Sequence, residues 1–200
     1  AGMCERGGMR TVRPEYYLAG INLAGFCLEA ADAWLYGRSG RRINGILMAA
    51  GLLGGAPGIL GGILILDRRA DKSNMMARVF LLCVLALEIL GLVFFRGGHR
   101  DALSFAFPEF FAAHRVFSAY LLAVNAVTFA AFGIDKWKAV RNRKRIRIVT
   151  LLALAFLGGA AGGLAAMYLF RHKVRKSYFA VGLPMILAVQ VLAVFCVMNI

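Results

Sequence analysis

Gly54-Gly55-Ala56-Pro57-Gly58 interrupts an apolar run from Ile46 to Leu66, and Gly158-Gly159-Ala160-Ala161-Gly162-Gly163 interrupts a second run from Ile148 to Phe170. Glycine tolerates dihedrals closed to other residues and Pro57 lacks an N–H donor, so each stretch offers a turn inside a segment of near-spanning length. Two architectures follow. In one, each run dips into the membrane on two arms of about ten residues, reaching roughly halfway through the hydrocarbon, and returns to its own face. In the other, Gly54, Gly58 and Gly62, with Gly158, Gly162 and Ala166, form small-residue ridges on straight spanning helices. Either way, Gly54, Gly55, Gly58, Gly158, Gly159 and Gly162 are expected to bring backbones close together.

The two runs belong to a longer correspondence. Tyr17, Leu18, Asn22, Phe26, Asp32, Arg38 and Ile43 recur 103 positions later as Tyr120, Leu121, Asn125, Phe129, Asp135, Arg141 and Ile146. Gly54, Gly55, Gly58, Lys72 and Ser73 recur 104 positions later as Gly158, Gly159, Gly162, Lys176 and Ser177, a slip that one inserted residue explains. A constant offset over so many positions marks a duplicated unit. It divides the chain into an N-terminal segment (1–15), a diverged first repeat (16–95), a connecting loop (96–116) and a second repeat (117–200).

Sixty per cent hydrophobic residues, 17% charged residues and a mean hydropathy of +0.71 lie outside the range of soluble domains. Four further apolar runs, Tyr16 to Tyr36, Val79 to Phe95, Ala119 to Ile134 and Phe179 to Val197, complete the set. Continuous apolar runs, unlike the short alternating segments of a barrel, predict an all-α, multi-pass membrane protein. In each repeat, two spanning helices flank a Gly-rich re-entrant hairpin or a third span. The first run follows three arginines, yet it holds Asn22, Glu29 and Asp32 and lacks a cleavage site, so it reads as a retained helix and not a signal peptide. Cys4, Cys27, Cys83 and Cys196 have no metal or disulfide spacing and read as small packing residues.

The 24 Lys and Arg residues fall in six clusters between the runs. If every run crosses once, the two faces collect fourteen and ten. If the glycine-rich runs re-enter, they collect eighteen and six, which obeys the positive-inside rule better and favours the hairpin. The loops bearing Arg38 to Arg42, Arg68 to Arg78, Lys136 to Arg147 and Arg171 to Lys176 are then cytoplasmic.

Asn125, Thr128, Phe132 and Asp135 share one face of a helix, and Asn22, Gly25, Glu29 and Asp32 occupy the matching stripe in the first repeat. With Glu88 and Gln190 midway along the last helix of each repeat, these polar groups form a seam. Buried polar groups in a membrane either line a functional cavity or lock helices together, and both readings fit here. Asp135, Lys136, Arg171, His172, Lys173 and Lys176 would gather at the membrane surface as a cationic rim suited to a lipid phosphate, with Asn125 deeper on the same helix. His172 among four cations is a candidate neutral acceptor or base. No nucleophile elbow, Walker loop, zinc motif or cysteine pair is present, no cofactor is implied, and the basic loops lack the interleaved aromatics of a nucleic-acid surface.

Asn125, Asp135-Lys136, Ala139, Arg145, Leu151-Leu152, Gly158-Gly159, Gly162, Phe170-Arg171-His172-Lys173, Lys176, Phe179 and Pro184, in that order, resemble the bacterial domain-of-unknown-function family 1294. The likeness covers nearly all of residues 117 to 197. In the first repeat Ala33 stands where the lysine after Asp32 is expected, and Leu66-Asp67-Arg68-Arg69 stands for Phe-Arg-His-Lys. The resemblance implies a small polytopic protein of the bacterial inner membrane with no known activity; the cold-shock domain of some relatives has no counterpart in these residues. The expected partners are anionic lipids, or a small anion or lipid phosphate at the rim, and a homo-oligomer is compatible with the sequence. A transporter-like binder, an enzyme acting on a phospholipid or polyprenyl phosphate, and a scaffold or assembly factor all fit these residues.

Overall fold

A computed structural model describes residues 14–68, 71–97 and 103–199. Cys4, Arg6, Arg10 and Arg13 of the N-terminal segment, and Arg69 and Arg100, lie outside the described residues. All regular structure among the described residues is helical: α1 (Pro14–Ser39), α2 (Asn44–Ala50), α3 (Ala56–Leu66), α4 (Met75–Arg96), α5 (Phe107–Ala113), α6 (Arg115–Val140), α7 (Ile148–Leu154), α8 (Ala160–Leu169), α9 (Ser177–Ala180) and α10 (Gly182–Asn199). Among these residues six stretches are long and apolar enough to cross a membrane: Glu15–Ser39, Asn44–Leu66, Met75–Arg96, Arg115–Val140, Ile148–Leu169 and Ser177–Asn199. Length and composition of this kind mark a membrane protein.

The chain forms two compact units, residues 1–68 and 69–200. The third apolar run in chain order, α4, therefore lies in the second unit, where it packs on α10. In the first unit α1 runs along α3. The core of the second unit is built from Phe132 of α6, Leu151 of α7, Met167 of α8, Phe179 of α9 and Leu183 and Ile186 of α10, all buried. The rings of Phe132 and Phe179 meet edge to face at 5.4 Å.

Both glycine-rich runs bend at the glycine pair. Between α2 and α3 a wide turn, Gly51–Gly55, carries Gly54 at φ +96°; between α7 and α8 the turn Ala155–Gly159 carries Gly158 at φ +117°. These left-handed dihedrals suit glycine because no Cβ meets the following carbonyl. Pro57 then falls in the first turn of α3, where its missing N–H costs nothing.

Bending the chain frees carbonyls, and in an apolar surrounding each one needs a donor. In the second unit four consecutive carbonyls of the turn receive one from a side chain. Gln190 Nε2 donates to Ala155 O at 2.6 Å and to Phe156 O at 3.4 Å, Tyr120 Oη to Leu157 O at 2.7 Å, and Asn125 Nδ2 to Gly158 O at 2.8 Å. Asn125 Oδ1 also accepts from Gly162 N at 2.7 Å. The first unit uses the corresponding residues: Tyr17 Oη donates to Leu53 O, Asn22 Nδ2 donates to Gly54 O, and Gly58 N donates to Asn22 Oδ1.

Glycines allow this proximity. A Cβ at Gly58 would overlap the carbonyl of Asn22, one at Gly162 the carbonyl of Asn125, and one at Gly159 the hydroxyl of buried Thr128. An aspartate of the preceding long helix closes the other end of each bend. Ile43 N donates to Asp32 Oδ1 at 2.6 Å, and Ile146 N to Asp135 Oδ1 at 2.9 Å.

Candidate functional site

Asp135 lies five residues before the end of α6, with its side chain fully buried. A carboxylate taken out of water is costly unless it is paired and hydrogen-bonded, and this one has three partners. Ile146 N donates to Oδ1, while His172 Nε2 at 3.0 Å and Lys173 Nζ at 2.8 Å meet Oδ2. The residues that lead into α7 and the residues that follow α8 are thus held by one side chain.

The loop that delivers His172 and Lys173 follows from how α8 stops. Arg171 N donates to Tyr168 O and His172 N to Met167 O, the pair of bonds that closes a Schellman cap. The left-handed position of such a cap is usually glycine, but here it is Arg171, at φ +43°, and Lys173 is left-handed as well, at φ +65°. For an L residue this conformation costs about 1–2 kcal/mol. α6 ends in the same cap with Asn142, a residue that tolerates it, at φ +52°. Arg171→Gly is accordingly expected to raise thermal stability in detergent by a fraction of that cost. A lowered unfolding temperature would show that the guanidinium supports the fold.

Lys173 is mostly buried, with its ammonium 4.8 Å from the centre of the Phe179 ring. Burial lowers its pKa below the usual lysine value; Asp135 opposes that effect, and the charge of Arg145 adds to it. Arg145 therefore lies within electrostatic range of the cluster. Lys136, next to Asp135 on α6, and Lys176, just before α9, form no side-chain hydrogen bond or ion pair among the described residues.

The equivalent place in the first unit is neutralised differently. Arg42 Nη1 bridges Asp32 Oδ2 at 2.7 Å and Asp67 Oδ2 at 2.9 Å, and its guanidinium stacks on Tyr36 at 3.8 Å. Burial opposes the charge on Arg42, yet the two carboxylates outweigh it and hold its pKa above the ordinary value.

Of the residues singled out in the sequence, Asp135, His172 and Lys173 come into contact; Lys136 and Arg171 adjoin them in the chain, and Lys176 follows Lys173 by three residues. Asn125 does not join them: it lies ten residues from Asp135 on α6, about 15 Å along the helix, with its amide engaged by the turn. Asn22 has the same task in the first unit. Glu29 and Asp32 are buried there, Glu29 against Gly62. Gln190 caps the second turn, and Glu88 Oε1 on α4 is buried without a hydrogen-bond partner among the described residues. Asn125 and Gln190 border a cavity of about 830 Å³ whose walls are largely apolar, with Phe107, Phe110, Phe111 and Tyr120 among them. Asn125 and Tyr120 precede Asp135 by ten and fifteen residues on α6, so this cavity begins about 15 Å along the helix from the cationic cluster. Among the described residues no three His, Cys, Asp or Glu side chains converge as a metal site needs.

The sequence does not single out Tyr17 and Tyr120 as donors to the turns, nor Arg145 as a charge acting on Lys173. The tyrosines stand out only as markers of the repeat, since a tyrosine near a helix end reads first as an interface anchor. Arg145 is one of five basic residues between α6 and α7, and only its place before Ile146 distinguishes it.

The family described as protein of unknown function (DUF1294) matches residues 125–179, which carry the Asn125 staple, the turn glycines and the Asp135–His172–Lys173 cluster. The uncharacterized protein YsdA of Bacillus subtilis (strain 168) is 34% identical over 79 residues, which make up 40% of this chain and 89% of that relative. No solved structure matches the chain. On the family match and the coverage of this relative, the chain belongs to the protein family of unknown function DUF1294.

Proposed function

We propose that this is a tandemly duplicated, multi-pass protein of the bacterial inner membrane whose two glycine-rich runs are re-entrant hairpins, and that the mouth of the second hairpin binds the phosphate of an anionic lipid headgroup or a small anion. The observation that carries the reading is the clasp of buried Asp135 by Ile146 N on one side of the hairpin and by His172 and Lys173 on the other. A straight helix of 22 residues, the length of Ile148–Leu169, would separate its two ends by about 33 Å, far beyond the reach of one carboxylate. Arg42, which bonds Asp67 across Asn44–Leu66, supports the same bend in the first copy. The matched hydrogen bonds of Tyr17 and Tyr120, Asn22 and Asn125, and Asp32 and Asp135 support the duplication.

At this mouth Asp135 engages His172 and Lys173, while the side chains of Lys136, Arg171 and Lys176 form no hydrogen bond or ion pair among the described residues. A basic side chain near an anionic surface contributes roughly 1 kcal/mol each. The test is retention of phosphatidylglycerol through purification, read by native mass spectrometry. Lys136→Gln with Lys176→Gln is expected to reduce it several-fold, and equal retention by the variant would reject the rim as the site. Single cysteines at Arg41, Arg68, Lys144 and Arg175 should all react from the cytoplasmic side of oriented vesicles; reaction of Arg41→Cys and Arg68→Cys from opposite sides would reject re-entry.

One observation favours a second reading, an enzyme acting on a phospholipid or polyprenyl phosphate. His172 Nε2 meets the Asp135 carboxylate, and Nδ1 forms no hydrogen bond among the described residues. A buried carboxylate that orients an imidazole is an arrangement used for general bases. Under this reading His172→Gln stops turnover of a phospholipid substrate while lipid retention persists.

A further inference from the structure

The two copies differ in which residues balance charge at the mouth of the bend. In the first unit the arginine before α2, Arg42, donates to the carboxylate of the residue after α3, Asp67. Their counterparts in the sequence register are Arg145, before α7, and Arg171, just past α8, so that two arginines stand where the first copy has a cation and an acid. Both side chains are exposed, and neither forms a hydrogen bond or ion pair among the described residues. Each adjoins a residue that clasps Asp135: Arg145 precedes Ile146 and Arg171 precedes His172. Asp135 cannot neutralise them, because its second oxygen already meets His172 and Lys173.

We propose that Arg145 and Arg171 together bind one phosphate group, in the place that the Asp67 carboxylate fills in the first copy. This deepens the reading of the rim as an anion site and rests on it. A planar guanidinium offers paired N–H donors that match two phosphate oxygens, which a lysine does not, so the pair selects phosphate over a generic anionic surface. The influence of Arg145 on Lys173 is consistent with this placement. The left-handed backbone of Arg171 fits as well, since a glycine would cap α8 at lower cost yet supply no guanidinium. The phosphate could be a lipid headgroup or a soluble ion, and the same pair would hold either.

The test uses the full chain in phosphatidylcholine nanodiscs. One arm titrates inorganic phosphate by calorimetry; the other adds phosphatidic acid to the bilayer and counts retained molecules by native mass spectrometry. Binding in the first arm identifies a soluble phosphate, and binding in the second alone identifies a lipid phosphate. In the arm that responds, Arg145→Gln and Arg171→Gly should each weaken binding about ten- to a hundredfold, as loss of a charge-assisted hydrogen bond implies. Arg171→Asp, which restores the first copy's acid, should abolish it. Lys144→Gln, which removes the same charge one residue away, should change binding by no more than about fivefold. Arg171→Gly is expected to fold at least as stably as the parent, so its loss of binding cannot be ascribed to unfolding. If the arginine variants bind like the parent while Lys136→Gln with Lys176→Gln does not, the arginine pair is wrong and the rim reading stands. If the parent binds in neither arm, both fall.

Discussion

Replacing Asp135 with alanine is expected to destabilise the protein by about 3–5 kcal/mol, the usual cost of removing one partner from a buried ion pair. The variant leaves Lys173, mostly buried, without its carboxylate and removes the acceptor of Ile146 N. Asp135→Asn separates these effects, because its carbonyl can still accept from Ile146 while the charge is gone. Its cost should fall between those of the parent and the alanine variant. Adding Lys173→Met to Asp135→Asn should recover part of the loss, since no unpaired ammonium then remains buried. Thermal unfolding in detergent micelles compares these variants with the parent and with Lys173→Met alone. If the double variant is as unstable as the sum of its single changes, the two side chains do not interact as described. Asp32→Ala should cost less than Asp135→Ala, because Arg42 keeps Asp67.

The second large effect concerns the glycines. Gly162→Ala and Gly58→Ala each push a Cβ into a backbone carbonyl, of Asn125 and Asn22 respectively, and a backbone atom cannot move aside as a side-chain tip can. Overpacking of this kind typically costs about 1–3 kcal/mol. Gly61, three residues from Gly58 on the same helix, has nothing within 4 Å of where a Cβ would stand. Gly61→Ala should therefore be neutral or gain up to about 1 kcal/mol from helix propensity. Equal unfolding temperatures for Gly58→Ala and Gly61→Ala would show that the close approach of α1 and α3 is absent.

Much of the helical architecture is legible in the amino-acid sequence. Continuous apolar runs announce helices because lipid leaves the backbone no other economical partner, and each run lies within or close to one of the six long helical stretches. The helices extend beyond the runs at several ends, as with Arg115–Val140 against Ala119 to Ile134, since lysine and arginine stems can lie along apolar surface near a helix end. α5, within the segment read as a connecting loop, has seven residues, too few for a periodic signal.

The glycine pairs point to close backbone approach, whereas the donors that satisfy the bent backbone are not legible as such. Gln190 and Tyr120 lie about 35 residues from the carbonyls they meet, and nothing local in the chain encodes that pairing. The cluster is partly legible. A run of Arg-His-Lys-Val-Arg-Lys is visible as charge, but which of its members turn inward depends on the cap at Arg171, set by the backbone and not by composition.

The central claim is that the chain enters and leaves the second glycine-rich run on one face, with Asp135 holding both ends. The direct measurement is the distance between spin labels at Lys144→Cys and Val174→Cys, with the native cysteines replaced and the protein in lipid nanodiscs, read by pulsed electron paramagnetic resonance. The account predicts a single distribution well short of the roughly 33 Å that a straight 22-residue helix imposes between its ends. A distribution centred at or beyond that length would place the two basic loops at opposite ends of a span and contradict it.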